Sequence, residues 1–333
     1  AYTALQQNEK SLPVLQGALS LDKFNPSLHY ELGTAYMRLR RWDEAKAALE
    51  RSLELEPQQP NAYSYLGAVA LQTGDALTMV RQAMNAIAVD PEDHELPGIL
   101  SLFLYQLGLV DIADDFRDRV LTLAPTSTIA YQIELARARA IDDLEGSVEA
   151  ARRAVEDDIE DRRFAFGGAV QHLIRTAVRT GRIDEELAWL EEHQPGIFDV
   201  DSAVVSLKFR GVQGTAFDAW YHTLPRDELL RRLDVLLSFA ESMGADPTEN
   251  AVNHVGILTL RGEIAAAIEV ALDELFTQPV ALYPNWREVL SQPQYAEIVA
   301  DPRIQEAMRR WETQEADLRA SVETYFADLQ AAT

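Results

Sequence analysis

The chain of 333 residues contains no cysteine, which excludes disulfides, thiolate zinc sites and thiol nucleophiles. Cations are scarce as well: 30 Lys and Arg stand against 54 Asp and Glu, a formal charge of −24. A surface of that sign repels phosphate backbones and anionic headgroups, so nucleic acid is not expected as a direct partner. The simplest use of the excess acid is solubility. No apolar run approaches the ~18 residues that suggest a membrane span, and residue 1 opens no signal peptide, so direct membrane insertion is not expected. Glycine and proline are modest at 16 and 14 residues, which argues against a disordered or fibrous chain, while an apolar share of 47% supports a core.

What the chain does have is an internal period. Pro57, Pro91 and Pro125 close the similar phrases LELEP, IAVDP and LTLAP, 34 residues apart. The unit NPSLHYELGTAYMRLRRWDEAKAALERSLELEP places Leu32, Gly33, Tyr36, Ala45, Leu49, Ser52 and Pro57 along it. The next supplies Tyr63, Leu66, Gly67, Ala86 and Pro91, and the third Leu100, Ala113 and Pro125, with Ser101 in the glycine place. Small residues are needed where two antiparallel helices cross closely, larger ones fill the space around them, and proline ends each unit because it cannot continue a helix.

These phrases resemble the tetratricopeptide repeat (TPR) closely. The resemblance implies an all-α fold, a right-handed α-solenoid of antiparallel helix pairs, in which stacked neighbours bury what one unit cannot bury alone. The N-terminal phrase AYTAL lies on AYMRL, Ala1 on Ala35, Tyr2 on Tyr36 and Leu5 on Leu39. That register starts the chain at the tenth position of a unit, so a first repeat lacking its beginning is expected. Past Pro125 the motif fades: residues 128–161 keep Tyr131 and Ala154 but place Leu135 where glycine is due. TAVRTGRIDEELAWLEE and NHVGILTLRGEIAAAIEVAL repeat a helix, glycine, helix order around Gly181 and Gly262. The expected organisation is TPR repeats over 1–161, degenerate TPR-like helical repeats over 162–280 and a C-terminal helical cap over 281–333.

In the last segment Asp301 and Pro302 form a helix start. Ile304, Met308, Trp311, Leu318, Val322, Tyr325 and Leu329 then make one apolar stripe, interrupted by Glu315. It suits a helix capping the last repeat, and also a homodimer seam through 302–330. Trp286, Asp301, Pro302 and Arg303 are similar to the ends of TPR regions in bacterial winged-helix or cyclase signalling proteins. That likeness implies an alternative function, a sensory or regulatory module with its output domain upstream. It leaves the compartment open between bacterial periplasm and cytoplasm.

No catalytic, cofactor or metal site is expected. GVQGT at 211–215 lacks the lysine and spacing of a phosphate loop. The histidines are scattered, and no two have the i, i+4 spacing of a helical zinc site. Asp93, His94 and Glu95 fall at an inter-repeat turn, and Glu185 and Glu186 read as a solvated helix face. An all-helical enzyme would have only His172, His222 and His254 to build on.

The TPR resemblance implies instead a partner-binding groove lined by the first helix of each pair. Its positions carry Tyr30, Met37, Arg38, Asn61, Tyr65, Leu71, Gln72, Ile99, Leu102 and Tyr105. The clamp for chaperone carboxylate tails is missing, since Tyr30, Thr34, Tyr65, Glu95 and Ile99 stand at its positions. The expected function is a non-catalytic scaffold that binds a protein or peptide, an apolar or helical segment anchored on aromatics.

Overall fold

The computed structural model describes residues 2–156, 163–199, 221–242, 246, 248, 250–283 and 286–332. The expected loop at 211–215 lies outside them. The fold is all-α, a series of antiparallel helix pairs, with no strand among the described residues.

After α1 (Tyr2–Leu21) come four pairs: α2 (Pro26–Arg38) with α3 (Trp42–Leu55), α4 (Pro60–Gln72) with α5 (Ala76–Val89), α6 (Glu95–Gln106) with α7 (Val110–Leu123), and α8 (Thr128–Ala140) with α9 (Leu144–Glu156). The second helices start at 42, 76, 110 and 144, so the 34-residue period continues one unit beyond the last proline that marks it. A left-handed residue recurs at the turn within each pair: Arg40, Gly74, Gly108 and Asp142, at φ of 56°, 85°, 69° and 54°. Helix starts are capped where the residue type allows, as at Asn25, whose side chain accepts from the Leu28 N–H with Pro26 following.

The fourth pair explains how a unit survives without the signature glycine. In the first pair Gly33 faces Leu49, and a Cβ on Gly33 would lie 2.7 Å from the Leu49 Cγ. In the fourth, Leu135 stands in the glycine place while Ala151 stands where Leu49 was, and Leu135 packs against the cluster that contains Ala151. Bulk has moved from one helix to the other with little change in total volume, the kind of exchange cores tolerate.

The period then slips. α10 (Arg163–Thr180) is a full turn longer than the earlier first helices, and α11 (Ile183–His193) follows left-handed Gly181. Next come α12 (Arg226–Ser242), α13 (Ala251–Arg261) and α14 (Ile264–Val270), which widens into a π-type turn over Ala271–Leu275. Short helices α15 (Trp286–Leu290) and α16 (Ala296–Val299) lead to the long α17 (Pro302–Ala332).

The helices form two compact units. Unit one holds Ala1–Phe103, Gln278–Pro284 and Trp311–Thr333; unit two holds Leu104–Thr277 and Asn285–Arg310. The core of unit one gathers Leu12, Leu32, Tyr36, Ala45, Leu49 and Leu66, with Tyr30, Met37 and Tyr65 packed on its margin. Ser52 is buried there and bonds across three helices: its hydroxyl donates to the Pro26 carbonyl at 2.8 Å, and Gln59 donates back to the Ser52 carbonyl at 3.3 Å. Unit two has separate clusters around Val170, Leu173, Ile174 and Leu190, and around Leu233, Leu236 and Ile257.

Two expectations need correction. The repeat register laid on the N-terminus would put a helix turn just after Leu5, where Arg40 turns the next unit, but α1 runs unbroken from Tyr2 to Leu21 with Pro13 inside it. The C-terminal helix does more than cap the last pair. Its first nine residues do so within unit two, where Ile304 is buried and Arg303 meets Glu269 at 2.8 Å; residues from Trp311 onward belong to unit one. There Trp311 stacks on Tyr283 at 5.6 Å, and the Arg81 guanidinium lies 5.6 Å from the Tyr325 ring. The stripe is thus largely spent inside the chain: Ile304, Trp311 and Val322 are buried with Ala307 and Phe326, and only Leu329 is exposed.

Candidate functional site

In unit one the first helix of each pair carries the expected positions. Arg38, Asn61, Gln72 and Ile99 are exposed; Tyr30, Met37, Tyr65, Leu71 and Leu102 are half-buried. Tyr30 of α2 and Tyr65 of α4 meet across the repeat boundary with ring centroids 5.7 Å apart and planes at 60°. Burial, and then the neighbouring Tyr65 hydroxyl, push the Tyr30 phenol up to about 12, so the Tyr30 ring keeps its proton at physiological pH. Ile99 is 49% exposed, uncommon for a side chain with so much apolar area.

Tyr105 does not belong with them. It is 3% exposed, and its hydroxyl donates to Asp114 of α7, which also accepts from Arg137 Nε of α8 at 2.9 Å. Burial, and then the bond to Asp114, raise the Tyr105 phenol. Burial alone would raise the Asp114 carboxyl, but the bonds from Tyr105 and Arg137 hold it below its ordinary value. The periodic position that is half-buried in the first pairs, at Met37 and Leu71, is here turned into a polar tie among three helices.

A second correction concerns Glu186. Glu185 is solvated as expected, but Glu186 is fully buried on α11 and takes both Arg152 Nε at 3.0 Å and Nη2 at 2.9 Å, with the Arg152 guanidinium 5.0 Å from the Trp189 ring. A charge at that depth persists only with such a bidentate partner. The missed signal is the spacing: Glu186 lies 34 residues after Arg152.

The histidines are dispersed. His172 on α10 is buried with its Nε2 3.3 Å from the Thr176 hydroxyl, His222 is half-buried against Tyr221, and His254 on α13 lies 3.9 Å from Glu274. Asp93 accepts from the Glu95 N–H at the turn before α6, a capping role. Among the described residues no three His, Asp or Glu side chains are grouped to hold a metal ion, and no helix is long and apolar enough to cross a membrane.

Residues 26–59 match the sequence profile of the tetratricopeptide repeat. In sequence the chain is similar to the BBSome complex member BBS4 of Bos taurus, 28% identical over 123 residues, or 37% of this chain and 24% of that protein. It therefore spans about a quarter of that relative's length. Among solved structures it is similar to MamA of Desulfovibrio magneticus, with 19% identity, 54% of this chain and 96% of that chain covered, and a TM-score of 0.43. A tetratricopeptide repeat protein from Parabacteroides merdae has 12% identity, coverage of 71% and 94%, and a TM-score of 0.49. YrrB, a TPR protein with an unusual peptide-binding site, has 16% identity, coverage of 55% and 84%, and a TM-score of 0.35.

Proposed function

We propose that this chain, an all-α series of helix pairs in which residues 26–59 match the tetratricopeptide repeat, is a non-catalytic scaffold whose first-helix face in unit one holds an apolar segment of a partner protein. The observation that carries the reading is the Tyr30 and Tyr65 pair bridging adjacent repeats, with Leu71, Leu102 and the exposed Ile99 on the same set of positions. Aromatic rings held by packing lose little entropy on binding and anchor a ligand well. Arg38, Asn61 and Gln72 are the exposed polar positions on the same helices and suit a hydrated rim around those anchors. Tyr105 has no part in this face, since its hydroxyl and ring are committed to packing in unit two.

The test is affinity capture from a source lysate with the whole chain, beside a Tyr65→Ala/Ile99→Ala variant whose helicity and melting are first matched to the parent. A protein retained by the parent and lost by the variant supports the reading and locates the face. Equal retention by both would overturn it. Tyr65 and Ile99 are not fully buried, so the variant is expected to fold.

A further inference from the structure

The chain is strongly acidic as a whole, and unit two holds a local exception. Arg139 stands near the end of α8, and His172, Arg175 and Arg179 follow at helical spacing on α10. The charged groups that bear on His172 are Arg139, Glu288, Arg175 and Arg179. Arg179 has its own ion pair with Asp142 at 3.0 Å. Arg139 and Arg175 share a different carboxylate, and they divide its oxygens: Arg139 Nη2 lies 2.5 Å from Oε2 of Glu288, and Arg175 Nη1 lies 3.7 Å from Oε1.

The carboxylate arrives from elsewhere in the sequence. Glu288 sits on α15, a helix of five residues, whereas its two cations sit on helices of the repeat series. The place is partly buried and keeps limited access to solvent: the side chains of Arg139, Arg175 and Glu288 are 30%, 14% and 22% exposed, and burial lowers the Arg139 guanidinium. A partly desolvated ion pair of this kind contributes little net stability over an apolar pair of the same volume, although breaking one side of it is costly. Two guanidiniums on opposite oxygens form a fork suited to any carboxylate that reaches them.

We propose that Arg139 and Arg175 form a carboxylate-binding site in unit two that Glu288 fills as a built-in ligand, and that a partner segment presenting a single carboxylate competes with Glu288 for it. A single charge is specified because a polyacidic segment would meet repulsion from a surface with a net charge of −24. The site does not depend on the apolar face of unit one.

The test is fluorescence anisotropy with two labelled probes on the whole chain. One is an uncharged, amidated peptide with one internal glutamate; the other has a free C-terminal carboxylate and no acidic side chain. A built-in ligand acts at an effective concentration in the millimolar range. Glu288→Gln is therefore expected to tighten at least one probe about tenfold, and adding Arg139→Gln and Arg175→Gln to abolish the gain. A gain for the first probe alone assigns an acidic side chain as the ligand, and a gain for the second alone assigns a chain terminus. Equal affinity of parent and Glu288→Gln for both probes would overturn the proposal, as would a gain that survives loss of both arginines. If Glu288→Gln does not fold, Glu288→Asp carries the test: its shortened carboxylate is expected to raise probe affinity about threefold, and no change would overturn the proposal.

Discussion

Gly33 and Gly67 occupy the same place in consecutive repeats, and the space around them differs. A Cβ on Gly33 would lie 2.7 Å from Leu49 Cγ and 3.3 Å from the Leu49 backbone nitrogen, whereas one on Gly67 would meet nothing nearer than 3.5 Å. Gly33→Ala is expected to destabilise by about 1–3 kcal/mol through overpacking. Gly67→Ala is expected to be neutral or to stabilise by up to about 1 kcal/mol, because alanine is the better helix former. Urea denaturation of both variants checks this, and equal losses would mean that the helix crossings are alike. His172 supplies a pH prediction. Burial, and then Arg139, lower its imidazole from 6.5 to about 4. The unfolded chain therefore binds the proton first as pH falls below 6.5, and stability from this residue is lost progressively from pH 6.5 to about 4, a range worth roughly 3 kcal/mol. A His172→Gln variant is expected to show a shallower fall than the parent over that window, measured by denaturation at fixed ionic strength. Parallel profiles would show that His172 titrates as it does in the unfolded chain. Single residues were the least legible from sequence. Tyr105 and Glu186 follow the outward-facing pattern of their helices, and only their partners, Asp114 and Arg152 on other helices, turn them inward.

Elements were more legible. The prolines and glycines placed the first three helix pairs, because both residue types act locally on backbone geometry. The fourth pair faded in sequence since its turn uses Asp142 and its crossing uses Leu135 opposite Ala151, solutions equivalent in space but different in residue type. The C-terminal stripe was readable as apolar, yet nothing in a stripe says what covers it. Trp311 is 1% exposed and stacked on Tyr283, whereas Leu329 is 37% exposed on the same helix. Trp311→Ala is expected to cost about 3–5 kcal/mol, and Leu329→Ala to stay within about 0.5 kcal/mol. Chemical denaturation of the two separates a helix docked within the chain from one that docks only on a second copy. In the latter case both variants would leave the monomer unchanged.

At the scale of the whole molecule the dominant quantity is the charge of −24. Self-repulsion of that size opposes the compact state and is screened by salt over a Debye length of about 10 Å at 0.1 M. The melting temperature is therefore expected to rise between 10 mM and 150 mM sodium chloride; a fall would mean that the arginine ion pairs outweigh the repulsion. The make-up of unit one has a consequence of another kind. It joins residues 1–103 to 311–333, segments separated by about 200 residues of chain. At ribosomal rates of about 5–20 residues per second, the first repeats emerge roughly 10–40 s before the helix that completes their unit. During that interval the nascent chain displays surface that the finished protein hides, and a chaperone would meet it there first.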